Sequence, residues 1–81
     1  MANEFSVIQF FKDGSYEKVR TFVSAEEAMN AFNYYTRNVA SRLGITHRVI
    51  ITDGGDCIAL EWQYDRGIVF GLPSQKEPTD D

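Results

Sequence analysis

The sequence has little of what catalytic and metal-binding domains are usually built from. It contains one cysteine (Cys57), one histidine (His47) and two prolines among 81 residues. A single cysteine excludes an intramolecular disulfide and is typical of a reducing compartment, and a zinc site needs three or four His or Cys ligands. No apolar run is long enough to cross a membrane, and the first residues lack the basic start of a signal peptide. We therefore expect a cytoplasmic protein without a metal or cofactor.

Positive charge is also scarce, because 8 basic residues face 12 acidic ones and the net charge is −4. Residues 74–81 hold one Lys, one Glu and two Asp, so half of this net charge lies in the last eight residues. The body that remains is too mildly charged to carry the basic footprint of a nucleic-acid-binding domain. We expect one domain over residues 1–73, followed by a flexible acidic tail over 74–81.

The chain alternates two kinds of hydrophobic pattern. Two β-prone runs flank Asp13-Gly14, which is a hairpin signal, and three more follow Gly44. Between them, Ser24 is a capping residue, and apolar residues recur at helical spacing from about Ala25 to Leu43. The sequence predicts an α+β domain of order β-β-α-β-β-β, with one helix on one face of a five-stranded, mainly antiparallel sheet. We expect the strand order 2-1-3-4-5, because it keeps all neighbouring strands antiparallel.

The hairpin loops predict which side chains lie under the helix. With Asp13-Gly14 as a two-residue loop, Phe11 faces Tyr16, and a four-residue Asp53–Asp56 loop places Ile51 opposite Ile58. A three-residue loop ending at Gly67 pairs Trp62 with Phe70 and Leu60 with Leu72. The residues then expected beneath the helix are Ile8, Phe10, Val19, Val49, Ile51, Ile58, Leu60, Trp62 and Phe70.

The opposite sheet face is the candidate functional surface, because it is predicted to carry more aromatic residues than a solvated face usually does. The predicted partner-binding residues on it are Phe5, Val7, Phe11, Tyr16, Arg20 and Ile50. Tyr34 and Arg37 form a second candidate surface on the outer side of the helix. The partner is either another protein or a second copy in a homodimer. Two alternatives stay open: the rings pack within the chain, or they stack bases beside Lys18 and Arg20.

The remaining polar residues favour structural roles. The Asp53–Asp56 loop satisfies the chemistry of a β-turn without a metal. Cys57 lies too far from His47 to be activated by it and is expected to be a packed thiol. Arg48 and Glu61 are expected to form a cross-strand ion pair. No catalytic residues are assigned, and the protein is not expected to be an enzyme.

Residues 51–70 carry an Asp53–Asp56 turn, then Glu61-Trp62, then Gly67 before a short final strand. In these elements the segment resembles the end of small uncharacterised proteins encoded by tailed bacteriophages. The resemblance implies a viral accessory protein in the host cytoplasm that binds a host or phage protein, and it brings no catalytic residues. The expected function is a non-enzymatic protein-interaction module. A single-stranded nucleic-acid-binding protein and a small-molecule-binding regulator are the alternatives.

Overall fold

A computed structural model describes residues 3–71 of the chain. Its elements are β1 (Phe5–Phe11), β2 (Tyr16–Val23), α1 (Ala25–Tyr35), α2 (Val39–Arg42), β3 (Thr46–Thr52), β4 (Ile58–Gln63) and β5 (Gly67–Phe70). The five strands form one sheet in the order β2-β1-β3-β4-β5, and every neighbouring pair is antiparallel. The predicted fold class and strand order are confirmed.

Both ends of the helical region follow the chemistry of the sequence. The Ser24 hydroxyl accepts a hydrogen bond from the Glu27 amide at 3.1 Å, which satisfies a free donor at the start of α1. At the other end, Gly44 has a φ of +81°, and the Ile45 amide donates to the Ala40 carbonyl at 2.9 Å. This 6→1 hydrogen bond closes α2 in a Schellman motif, for which a left-handed glycine is well suited.

The prediction of one continuous helix to Leu43 was wrong. α1 ends at Tyr35, where the Thr36 hydroxyl donates to the Phe32 carbonyl at 2.9 Å. A new N-cap follows, because the Asn38 side chain accepts from the Ser41 amide at 3.0 Å. Side chains that bond to nearby backbone in this way compete with continuous helix. The helical region therefore bends, and α2 is a single turn.

The core lies between α1 and one face of the sheet. Its buried members are Val7, Ala28, Ala31, Phe32, Val49, Ile51 and Leu60, with Phe5, Val19, Val23, Tyr35 and Trp62 packed against them. The predicted core positions Val49, Ile51 and Leu60 are confirmed, as are the supporting positions Val19 and Trp62. The other four predicted core residues lie on the opposite face, because of the first hairpin loop and of irregularities in the later strand pairing.

The first hairpin has a longer loop than the sequence predicted. The Phe11 amide donates to the Ser15 carbonyl, and the Gly14 amide donates back to the Phe11 carbonyl, so the loop is Lys12-Asp13-Gly14. Gly14 alone in this loop has a positive φ, whereas a type I′ turn would also require one at Asp13. Tyr16 therefore pairs with Phe10 and not with Phe11.

This shift of one residue reverses the faces of β1, because successive side chains of a strand point in opposite directions. Val7 is buried in the core and Phe5 packs against it, although both were predicted on the other face. Ile8 and Phe10 were predicted beneath the helix, and that was wrong. Ile8 pairs with Ile50 and Phe10 pairs with Arg48 on the face opposite α1.

The later hairpins differ from the prediction by shifted pairing. Ile51 pairs with Leu60, but an irregularity of the pairing next to Ala59 places Ile58 opposite Thr52, on the face away from α1. Trp62 pairs with Ile68, and Phe70 pairs with Glu61 instead. Ile58 and Phe70 are therefore not core residues. The predicted pairing of Leu60 with Leu72 and the tail over 74–81 lie outside the described residues.

Candidate protein-interaction surface

The side chains that point away from α1 form the second face of the sheet, which we call the open face. It comprises Ser6, Ile8, Phe10, Tyr16, Lys18, Arg48, Ile50, Thr52, Ile58, Glu61, Gln63 and Phe70. A solvated sheet face usually carries polar residues at these alternating positions. Here half of the twelve positions hold large apolar or aromatic side chains.

An ion pair lies near the middle of the open face. The Nε of Arg48 donates to Oε2 of Glu61 at 2.7 Å, and the Gln63 amide donates to the same oxygen at 2.8 Å. The hydrogen bond from Arg48, followed by that from Gln63, lowers the pKa of Glu61. The predicted contact between Arg48 and Glu61 is confirmed, although the residue directly opposite Arg48 is Gln63. The network holds the guanidinium in one orientation.

An aromatic pair extends from this network toward the sheet edge. The guanidinium carbon of Arg48 lies 4.8 Å from the centroid of the Phe10 ring, which is within cation–π distance. The Phe10 and Tyr16 rings are 5.7 Å apart and inclined at 44°. Tyr16 is 62% exposed, so this stack begins at a partly buried ion pair and ends at an exposed ring.

Two of the predicted open-face residues are where they were expected. Tyr16 lies on the open face and is exposed, as predicted. Ile50 also lies on this face, but it is only 5% exposed. Its neighbours in the sheet are Ile8 and Glu61. Ile50 therefore packs between them and presents little area to a partner.

The other four predicted residues are not part of the open face. Phe5 and Val7 belong to the core. Phe11 is half-buried at the first hairpin, where it lines a groove with Ile45. Arg20 pairs with Glu27 of α1 at 3.8 Å, which places its charge on the helix side. The backbone irregularity of β2 beside Arg20 explains this position, since bulges re-aim side chains.

The second predicted surface is only partly helical. Tyr34 is exposed on α1, where its ring lies edge-on to Tyr35 at 4.9 Å. Arg37 is exposed in the bend between α1 and α2, and its carbonyl accepts from the Arg42 side chain at 3.2 Å. The two residues are therefore not neighbours on one continuous helix face.

Sequence reasoning missed Phe10 and Phe70 as members of the open face. Phe70 is 55% exposed and lines a shallow groove with Ile58 and Glu61. The signal that could have located Phe10 is the Lys12-Asp13-Gly14 loop. A three-residue loop with glycine in the third position is a common hairpin alternative to the two-residue turn.

The polar residues of the turns are arranged for structure. Oδ1 of Asp53 accepts hydrogen bonds from the backbone amides of Gly55 and Cys57 at 2.8 and 3.1 Å. An Asp side chain that bonds to nearby backbone in this way stabilises a turn. Cys57 is exposed, so the prediction of a packed thiol was wrong. Among residues 3–71, no group of three or more His, Cys, Asp or Glu side chains is placed to hold a metal ion.

An apolar groove lies on the other face, between α1 and β4. Its volume is about 150 Å³, and it is lined by Phe5, Ala25, Ala28, Met29, Ile51, Ala59, Leu60 and Gly71. Typical ligand sites enclose about 300–1,000 Å³ and contain a few polar groups that orient the ligand. The side chains of this groove offer no such polar groups, so it gives little support to the small-molecule alternative.

In comparisons with family models, curated proteins and solved structures, none was significantly similar to this chain. Within the part of the chain that the structure describes, no helix is both long and apolar enough to span a membrane.

Proposed function

We propose that this protein is a non-enzymatic interaction module that binds a protein partner through its open face. The observation that supports the proposal most is the stack of Arg48, Phe10 and Tyr16, fixed by the bonds from Arg48 and Gln63 to Glu61. Tyr and Arg are enriched among the residues that contribute most to binding at protein interfaces. Because the guanidinium is already held in place, its ordering costs little at binding.

The distribution of charge favours a protein over single-stranded nucleic acid. Arg48 is neutralised by Glu61, and Arg20 is paired with Glu27 away from the open face. Phe5, which was a candidate for base stacking, belongs to the packing around the core. Among residues 3–71, Lys18 is then the cation of the open face that has no carboxylate within 4 Å. One such cation provides little of the phosphate neutralisation on which nucleic-acid affinity depends.

The resemblance of residues 51–70 to proteins of tailed bacteriophages supports an accessory role, in which the partner is a host or phage protein. A second copy of the chain is another partner of the same chemistry, since a two-fold contact would bring the open faces of two chains together. The open face is the proposed binding surface, and the capture experiment identifies the partner.

The test compares two tyrosines with equal exposure. Tyr16 lies on the open face and Tyr34 lies on α1, and each is 62% exposed. Immobilised wild type, Tyr16→Ala and Tyr34→Ala are used to capture proteins from a bacterial lysate, and mass spectrometry identifies them. We expect a protein that is retained by wild type and Tyr34→Ala and lost with Tyr16→Ala. Equal retention by all three, or no retained protein together with a monomer in sedimentation velocity, would contradict the proposal.

A further inference from the structure

Exposed aliphatic side chains cluster at the end of the molecule where α2 lies. Val39, Leu43 and Ile45 are 70%, 67% and 52% exposed. The ring of Tyr64 lies directly against Gly44 and is also partly exposed. We call Val39, Leu43, Ile45 and Tyr64 the α2 patch. Monomeric surfaces carry single exposed apolar residues routinely, but a contiguous group of this kind indicates an interaction site.

The local sequence explains why these side chains face solvent. The Asn38 cap starts a new helical turn after the bend, which directs Val39 and Leu43 to one side at i,i+4 spacing. Gly44 then ends the turn, and the Ile45 carbonyl accepts from the Lys12 amide at 3.0 Å. The patch is therefore fixed to the first hairpin loop as well as to its own helix.

Unpaired cations surround the α2 patch. The ion pairs among residues 3–71 are Arg20–Glu27 and Arg48–Glu61, so the cations at this end have no carboxylate within 4 Å among those residues. These cations are Lys12, Arg37, Arg42 and Arg66. The carboxylates at the same end are Asp13, Glu17 and Asp65, of which Asp13 already accepts two hydrogen bonds from Ser15 and Glu17 accepts one from Gln9.

Among residues 3–71, the chain directions place five of the nine acidic residues at the opposite end of the sheet. Glu4 precedes β1, Glu26 and Glu27 begin α1, and Asp53 and Asp56 lie in the loop between β3 and β4. In a chain with a net charge of −4, this separation leaves a locally basic end with an apolar centre. A surface of this kind complements apolar side chains flanked by carboxylates.

We propose that the α2 patch is a second binding surface, whose partner is a protein segment that combines apolar and acidic side chains. The apolar side chains of that segment would cover Val39, Leu43 and Ile45, and its carboxylates would pair with Arg37, Arg42 and Lys12. This surface is separate from the open face, so either can be disabled without the other.

Two other occupants fit less well. A membrane-surface helix needs far more than the four residues of α2. A second copy could offer its acidic end to the patch of the first, but that contact is head-to-tail. It would produce rings or open-ended oligomers, which sedimentation detects.

The experiment is an NMR titration of the full-length chain with a short peptide in which Leu and Glu alternate. A peptide of alternating Leu and Lys is the charge control, and phosphatidylglycerol vesicles test for a membrane. We expect shifts of the α2 patch resonances with the Leu/Glu peptide, weaker at higher salt. Leu43→Ser and Arg42→Glu should each raise the Kd about tenfold, whereas Tyr16→Ala on the open face should leave it unchanged.

Each contrary result overturns the proposal. Absence of shifts at the α2 patch, equal binding of both peptides, or unchanged Kd in Leu43→Ser and Arg42→Glu would exclude an acidic-apolar partner. Preferential binding of vesicles would assign the patch to a membrane, and rings or open-ended oligomers of the protein alone would assign it to a second copy. Because Leu43 and Arg42 are exposed, their variants should keep the wild-type circular dichroism spectrum. The chemical-shift changes of the wild-type protein test the proposal even if a variant fails to fold.

Discussion

The Arg48 guanidinium lies 4.8 Å from the centroid of the Phe10 ring and 2.7 Å from the Glu61 carboxylate. One side chain therefore joins the aromatic and the ionic parts of the open face. Arg48 reaches both groups because β3 lies between β1 and β4 in the sheet. The strand order that the sequence predicts is thus what brings the three residues together.

The Arg48–Glu61 pair should make stability depend on pH. The pKa of Glu61 in the folded protein is lowered from its ordinary value of 4.5. The pair therefore stabilises the fold above that pH, and this contribution is lost as pH falls through the folded-state pKa. We expect Glu61→Gln to lower the free energy of unfolding by about 1 kcal/mol near neutral pH. Urea unfolding between about pH 6 and about pH 3 should then fall less steeply in Glu61→Gln than in wild type.

The matched control for this prediction is Glu17→Gln, which also removes a carboxylate from a side chain that accepts a hydrogen bond on the sheet. Glu17→Gln leaves the Arg48–Glu61 pair in place, so the pH-dependent contribution of Glu61 to stability should remain in this variant. Equal pH profiles for wild type and Glu61→Gln would show that Arg48 does not stabilise the charged form of Glu61.

The faces of β1 can be tested with two neighbouring residues. Val7 is fully buried in the core, whereas Ile8 lies half-buried on the open face. We expect Val7→Ala to reduce the free energy of unfolding by about 2 kcal/mol and Ile8→Ala by about 1 kcal/mol or less. Chemical denaturation measures both. A larger loss of unfolding free energy for Ile8→Ala than for Val7→Ala would contradict this register and support the one in which Ile8 faces the helix.

The sequence predicts the faces of β3 and β4 well and those of β1 poorly, for a physical reason. For β3 and β4, the observed pairing differs from the predicted one by two residues, and such a shift leaves Val49, Ile51 and Leu60 on the same face. For β1, the loop is longer by one residue, which exchanges Val7 and Ile8. Both faces of β1 carry apolar residues, with Phe5 and Val7 on one and Ile8 and Phe10 on the other, so the hydrophobic pattern could not correct the loop.

Gly67, which begins β5, and Gly71, which follows it, should differ in how well they tolerate a side chain. Gly67 and Gly71 have φ values of +78° and +77°. A Cβ at Gly67 would meet nothing within 4 Å, whereas one at Gly71 would clash with the backbone carbonyl of Ala59. We expect Gly67→Ala to cost about 1–2 kcal/mol of stability from backbone strain alone. Gly71→Ala should cost at least about 1 kcal/mol more, because the clash is added. Thermal and urea unfolding of both variants measure the difference, and equal losses would contradict the close approach to Ala59.

The bend between α1 and α2 depends on one cap. Asn38→Ala removes the acceptor of the Ser41 amide and should cost about 1 kcal/mol. Amide hydrogen exchange of Ser41 should become faster at the same time. Asn33→Ala is the control, because Asn33 is an exposed residue of α1. Equal stability and exchange in the two variants would mean that Asn38 does not start a separate helical turn.

The missed bend has a physical explanation. Val39 and Leu43 continue the helical spacing of Phe32 and Tyr35, so periodicity predicts one long helix. The competing signal is the pair of Thr36 and Asn38, whose side chains bond to nearby backbone. Helical periodicity indicates which residues share a side of a straight helix, but it does not report where such caps interrupt it. The exposure of Val39 and Leu43 follows from that interruption.

The most direct test of the open face as a protein-binding surface is site-specific photo-cross-linking in bacterial cells. A benzophenone amino acid replaces Tyr16 in one variant and Tyr34 in another, since both positions are equally exposed. We expect a discrete protein adduct from position 16, lost when Arg48→Ala removes the support of the stack, and no such adduct from position 34. The absence of an adduct at position 16, or the same adduct from both positions, would contradict the account.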